Sequence, residues 1–282
     1  MKKILIPTDF SDNAKKAMDY GFHIANKTKA DVVIFHANHI PVISPNTPLS
    51  VYNELLKSEE AKITKLAHKL KEEYEERFAI KPTEQKISVH IATGFATDEV
   101  VAYTEDNEVD LVVMGTQGAG GLKKMIVGSN TVSIIRSSNT PILAVPSDHE
   151  IKDLKKAVLA TDFKSNENEK QFDLLVTLCK AFDLKLDILH VKSQSDFTPN
   201  DEQIEKGLAI ETIFKDIKHE YHILDAANVD DAILKHVEEN NIDLIVTIPR
   251  KQSFIARLFN TSITSEIAYQ AKSPLLTLPN KK

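Results

Sequence analysis

A tandem pair of doubly wound parallel α/β units, each with a five-stranded sheet, is the fold class the sequence predicts. Three observations carry it. The chain has 282 residues, more than one average domain and right for two. Four segments recur in the same order in its two halves. Short, nearly continuous apolar runs alternate with longer segments of helical period.

The repeat is explicit. Lys2–Phe10 (KKILIPTDF) returns as Lys155–Phe163 (KKAVLATDF), and Val33–Ala37 returns as Asp187–Val191. Val109–Val113 returns as Ile242–Val246, and Thr140–Pro146 as Ser273–Pro279. A period this long means two homologous domains and no solenoid. The polar stretch 147–150 is the expected seam, giving domains over 1–147 and 152–282. In the first copy strands are expected at Lys3–Thr8, Asp31–Ala37, Lys86–Ala92, Leu111–Gly115 and Pro141–Val145, rich in β-branched residues and buried on both faces. Ser11 or Asp12 can cap the first helix. A long helix near Leu49–Phe78 aligns Leu55, Leu56, Ile63, Leu66, Leu70 and Tyr74 on one stripe, and Thr97 can cap a third helix ahead of Asp98 and Glu99.

Composition limits the function. With 42% hydrophobic and 27% charged residues the chain can build a core, and a net charge of −6 makes nucleic acid an unfavourable partner. The single cysteine, Cys179, excludes an internal disulfide and reads as a small core residue of a cytoplasmic protein. The longest apolar runs are too short to span a membrane, and Pro7 and Asp9 end the N-terminal one too early for a signal peptide. The histidines show no metal spacing along the chain.

Ligands of doubly wound sheets bind beyond the carboxyl ends of the strands. The first strand there ends in Pro7-Thr8-Asp9. The fourth ends in Met114-Gly115 and leads into a segment, 115–129, that holds five of the eight glycines. Glycine permits close backbone approach to a ligand, and Gly128-Ser129 opens a helix whose unpaired N–H groups favour an anion. Lys123 and Lys124 add positive charge. These are the parts of a polyphosphate cradle beside the carboxylate of Asp9. The P-loop and the Rossmann fingerprint both fail on spacing or position.

The spacing Gly115, Gly118, Gly128, Ser129 resembles that of the nucleotide-binding members of the universal stress protein family. Ile6–Ser11 (IPTDFS), His36-Ala37 and Pro141–Val145 are similar to that family as well. The resemblance implies strand order 3-2-1-4-5, an adenine nucleotide alpha hydrolase-like fold, and ATP, alone or with Mg²⁺, in the first half. Pro7, Thr8 and Asp9 would contact adenosine, with Ala37 behind the base and Gly94 on the facing loop. Met114, Gly115 and Gly118 would line the loop, and Gly128, Ser129 and Asn130 would hold the phosphates. Family members commonly pair through their last strands. Pro141–Val145 and Pro274–Leu278 are therefore expected to pair within the chain as a pseudo-dimer, with a homodimer of chains left open.

The second half departs from the pattern. After its fourth strand it reads Thr247–Phe254 (TIPRKQSF) and then Asn260-Thr261; every loop glycine is gone, Asp162 survives, and Gly94 is matched by Ala227. Proline removes a donor, and Arg250 and Lys251 would fill the phosphate volume. This half is expected to bind no nucleotide. Plainer readings stand beside these. Asp9 and Ser129 can serve as helix caps, His36 and His39 as packed or loop residues, and Arg250–Arg257 as a solvated basic loop. Three functions remain: an ATP-binding regulatory module of the stress response, a slow ATP hydrolase or adenylate transferase, and a nucleotide-free interaction module. No carboxylate cluster for magnesium or evident general base accompanies the loop, which disfavours the enzyme.

Overall fold

Parallel strands that are apolar on both faces need helices on both sides, and the chain supplies them. The computed structural model describes residues 1–39, 48–81, 83–116, 129–147, 149, 151–161, 163, 169–192, 201–248 and 273–279. The first half runs β1 (Lys3–Pro7), α1 (Asp12–Thr28), β2 (Asp31–Asn38), α2 (Leu49–Arg77), β3 (Ile87–Thr93), α3 (Ala96–Asp106), β4 (Leu111–Gly115), α4 (Ser129–Ser137) and β5 (Ile142–Val145). The second runs β6 (Lys156–Ala160), α5 (Glu169–Phe182), β7 (Lys185–Lys192), α6 (Asp201–Phe214), β8 (His219–Asp225), α7 (Val229–Glu239), β9 (Leu244–Thr247) and β10 (Leu275–Thr277).

All seventeen elements serve one ten-stranded sheet of order β3-β2-β1-β4-β5-β10-β9-β6-β7-β8. Each half is parallel with order 3-2-1-4-5. The two meet at an antiparallel pair, β5 with β10, in the register Leu143↔Leu276. One apolar cluster, including Ile4, Ile6, Phe22, Leu143, Phe172 and Leu276, runs continuously across that seam on one face of the sheet. The other face packs Leu5, Phe35, Val158 and Leu189 beneath α3, α4 and α7. Helices α1 and α5 also meet across the seam, where His23 lies 2.9 Å from Asp153 and its ring 5.6 Å from that of Phe182.

Several local expectations need correction. Ser11 does cap α1, its hydroxyl accepting from the Ala14 N–H at 3.2 Å. Thr97 does not cap α3: the helix begins at Ala96 after Phe95, which supplies no side-chain cap, and Thr97 already lies in the first turn. Ser129 is the first residue of α4 and not the residue before it. The stripe on α2 is buried only at its C-terminal end, by Ala67, Leu70 and Tyr74, while Leu55 and Leu66 are exposed. The 29-residue helix is about 43 Å long at 1.5 Å per residue, far longer than β3, which is 7 residues, so its N-terminal turns outrun the sheet. β3 and β8 are edge strands and are more exposed than the inner strands.

The repeat extends to a structural carboxylate at each half's amino edge. Asp110 accepts from the N–H groups of Lys2 and Lys3, at 2.5 and 2.9 Å. Asp243 accepts from Lys155 and Lys156, at 2.9 and 3.0 Å, and its other oxygen is 2.6 Å from Lys152 Nζ. Burial alone would push the Asp243 carboxyl up, but the Lys152 hydrogen bond and the two N–H donors hold it below the ordinary value of 3.8. Its contribution to stability is therefore complete above pH 3.8 and lost as pH falls through the lower value it has in the fold. Asp243→Asn is expected to cost ~1.5–3 kcal/mol at neutral pH, the worth of hydrogen bonds to a charged group. It should also flatten the loss of stability below pH 3.8, as read by urea melts across the acid range.

Candidate functional site

The topological switch of the first half falls between β1 and β4, the neighbours from which the chain winds in opposite directions. Their pairing sets Leu5 opposite Val112. Counting three residues on brings both strands to their carboxyl ends, at Thr8 and Gly115. Gly21 keeps α1 close beneath this place: a Cβ there would come within 2.7 Å of Ile6 Cδ1 and 3.4 Å of Val113 Cβ.

The turn leaving β1 is tightly held. Thr8 is buried; its N–H donates to the Phe35 carbonyl at 2.8 Å and its hydroxyl accepts from the Phe10 N–H at 3.0 Å. Phe10 takes φ of 63°, and its ring lies 4.8 Å from that of His36. His36 Nδ1 sits 2.7 Å from the Thr8 carbonyl, which can only accept, so the Nδ1 carries the proton. Asp9 stands on the exposed side of this turn, its Oδ1 accepting from the N–H and the hydroxyl of Ser11 at 3.0 and 2.5 Å. It braces the cap of α1 and is not itself that cap.

The same turn recurs in the second half. His190 Nδ1 lies 3.0 Å from the Thr161 carbonyl, and the Phe163 N–H donates to the Thr161 hydroxyl at 3.1 Å. Phe163 again has positive φ, 53°. His36 and His190 are thus turn-building residues in both copies, in line with the packed reading of His36.

Around the switch point stand most of the residues singled out from the sequence. Pro7, Thr8 and Asp9 leave β1, and Ala37 is the penultimate residue of β2. Gly94 follows β3, its N–H donating to the Asn38 carbonyl at 3.0 Å. Met114 and Gly115 close β4, while Ser129 and Asn130 open α4 and are exposed. The start of α4 is tied to the strand end: the Thr131 hydroxyl donates to the Gly115 carbonyl at 2.9 Å. Gly118, Gly128, Lys123 and Lys124 lie outside the described residues, as do Asp162 and the second-half segment from Pro249 through Thr261.

Two site features escaped the sequence reading. Thr116, directly after Gly115, is buried, and its hydroxyl has no hydrogen-bond partner among the described residues. A lone threonine after a glycine gives no signal in a sequence, because only the fold shows that it is dry. The second feature is a correction of register. Thr93 pairs with Asn38 and Asp225 with Lys192, and the next N–H in each case, Gly94 and Ala226, donates to the same strand-end carbonyl. Gly94 is therefore matched by Ala226, not Ala227. The second half has one residue more before α7 than the first has before α3, which a gap-free alignment hides.

Comparison with known proteins agrees with this architecture. The family profile for the universal stress protein family matches residues 1–146 and again 154–279. Universal stress protein MJ0531 of Methanocaldococcus jannaschii is 32% identical over 150 residues, which is 51% of this chain and 81% of that protein. Universal stress protein MJ0577 of the same organism is 31% identical over 152 residues, 51% of this chain and 94% of that protein. Each relative thus corresponds to about half of this chain. A crystal structure of a universal stress protein from Archaeoglobus fulgidus DSM 4304 aligns along 99% of this chain and 98% of its own, with TM-score 0.71 at 20% identity, and so shares the whole two-unit fold.

Fold and repeat together define a doubly wound α/β protein made of two like units. The chain belongs to the universal stress protein family, as a tandem member with two family units.

Proposed function

We propose that this protein is a cytoplasmic, ATP-binding regulatory module with one nucleotide site per chain, in the first half. The observation that carries the reading is the convergence at the β1–β4 switch point of Asp9, the Gly115–Thr116 strand end and the first turn of α4. It is joined to a loop whose Gly115, Gly118, Gly128, Ser129 spacing resembles the family's nucleotide-binding members. The first turn of α4, with Ser129 and Asn130 exposed, presents the N–H groups and positive dipole end of a helix start, which suit phosphates. Asp9 offers a carboxylate to ribose or base donors. The dry Thr116 hydroxyl gains a partner if a ligand or its water fills the crevice. In the second half the equivalent of Gly115 is Ile248, a buried branched side chain where the first half has none.

ATP in this reading is a regulatory ligand and not a rapidly consumed substrate. Native mass spectrometry of freshly purified protein tests it: one co-purified ATP per chain supports the reading, ADP with sustained turnover supports a hydrolase, and an empty chain that takes up no added ATP refutes both. Turnover in the ordinary enzyme range of ~1–10³ s⁻¹, abolished by a site substitution, would overturn the regulatory assignment. Ser129→Ala is expected to weaken ATP by ~1.5–3 kcal/mol, the worth of one hydrogen bond to a charged group. Asp9→Ala should erode discrimination for adenosine more than affinity for phosphate, as measured by ATP against GTP and inorganic triphosphate in calorimetric titrations. Among the described residues no helix is long and apolar enough to cross a membrane.

A further inference from the structure

The second half carries a buried ionisable cluster in its core. Asp187 on β7 is fully buried on the face covered by α7. Its Oδ2 lies 2.9 Å from His236 Nε2 of α7, 3.5 Å from His222 Nε2 of β8 and 2.9 Å from Lys156 Nζ of β6. The sheet register equates Asp187 with Val33 and His222 with His90, and the helix register equates His236 with Tyr103. Val33 is buried, Tyr103 is half-buried and His90 is exposed, the last two rings 4.6 Å apart. The second half thus has an aspartate where the first has a buried valine, and a buried histidine where the first has a half-buried tyrosine, the two facing one another. Burying a carboxylate is costly and needs compensation.

The compensation inside the protein is incomplete. Asp187 Oδ1 is buried with no hydrogen-bond partner among the described residues, and so is His222 Nε2. The donor atoms of Asp187, His222 and His236 all lie within 4.8 Å of one another. In a tetrahedral zinc site with bonds of ~2.0–2.2 Å, neighbouring donors stand roughly 3.3–3.6 Å apart; here Asp187 Oδ2 stands 2.9 and 3.5 Å from the two imidazole nitrogens and all three donors lie within 4.8 Å, so metal entry needs a small adjustment of the closer pair. Two imidazoles and one carboxylate from three different elements are a zinc donor set, and three protein ligands leave a fourth position for water.

We propose that Asp187, His222 and His236 form a binding site for a divalent transition metal, zinc by its donor set, that ties β7, β8 and α7 together. The partly exposed side chains of His222 and Lys156 mark its route to solvent. Metal entry moves the Lys156 ammonium off Asp187. It also requires His236 to carry its proton on Nδ1. Asn240 Nδ2 now sits 3.2 Å from that nitrogen and also donates to the His236 carbonyl, so Nδ1 is an acceptor and Nε2 holds the proton facing Asp187. On binding, Asn240 must turn its amide oxygen to Nδ1, a second-shell change of the kind that sets metal affinity.

The test uses Co²⁺ as a coloured zinc surrogate, with calorimetric titration of Zn²⁺ into the full chain. The expected result is one equivalent of Zn²⁺ per chain and an intense visible Co²⁺ spectrum of a four-coordinate site. His222→Ala, at a partly exposed position whose loss the fold tolerates, should weaken Zn²⁺ at least tenfold, and Asp187→Asn should remove it. Asn240→Asp, which supplies a carboxylate to the His236 Nδ1–H, should tighten it about tenfold. A wild-type chain with no stoichiometric binding would overturn the proposal. So would a Co²⁺ spectrum that is unchanged in His222→Ala and indifferent to Asn240→Asp, which would place the metal on other histidines.

Discussion

Gly128→Arg is expected to abolish ATP binding by the full chain while leaving its circular dichroism and melting temperature unchanged. Gly128 directly precedes Ser129, the first residue of α4, whose first turn is anchored to β4 by the Thr131–Gly115 hydrogen bond. A phosphate can approach those N–H groups only where no side chain intervenes, and arginine would place its stem in the path. The loss should exceed a hundredfold in Kd, about 2.7 kcal/mol. The paired control is Arg250→Ala in the second half, which should leave affinity untouched. Titration calorimetry decides between the outcomes: one site in the wild type and none in Gly128→Arg agrees, whereas two equivalent sites or full binding by the variant refutes the assignment.

Leu143→Asp should unfold both halves together. Leu143 is 1% exposed, with Val113 beside it in β4 and Leu276 directly opposite in β10. A carboxylate there would stand in an apolar cluster of the described residues, and the cost should exceed ~4 kcal/mol, at the extreme of single substitutions. Cys179 on α5, in the other half, reports the damage. It is 2% exposed, and burial pushes its thiol up to about 12, so in the wild type it should resist thiol reagents. Rapid labelling of Cys179 in Leu143→Asp would show that disruption at the seam reaches the second core. Protected Cys179 in that variant would mean that the two halves fold independently.

The inner strands were legible in the sequence because their burial is two-sided: Lys3–Pro7, Leu111–Gly115 and Asp31–Asn38 are continuous apolar runs that only a covered sheet explains. The recurrence of KKILIPTDF located the second unit without further help. Edges and excess length were less legible. The apolar stripe of α2 suggests burial along its whole length, but a stripe cannot say where the sheet beneath it stops. Thr97 has the chemistry of a cap, yet the chain enters α3 two residues earlier, at Phe95. The positions of Asp9, Gly94, Gly115 and Ser129 around one crevice follow from strand order, which the glycine spacing implied through family resemblance and not through any physical rule. The Asp187 cluster was hidden because its members lie 35 and 14 residues apart. The one available signal was an aspartate at the place of Val33 in an otherwise apolar strand.

The antiparallel β5–β10 seam fixes more than the shape of the sheet. Because the two parallel halves run in opposite senses, the amino ends of β6 and β7 share a sheet margin with the carboxyl ends of β1 and β4. An association that separate subunits would reach by collision is here built into one polypeptide, so dilution cannot undo it and its occupancy does not vary with expression level. Covalent fusion also relieves the two units of any obligation to be identical. A self-paired subunit must write every change twice, whereas this chain can specialise each copy alone: a glycine-rich sequence after the fourth strand in one, an ionisable core in the other.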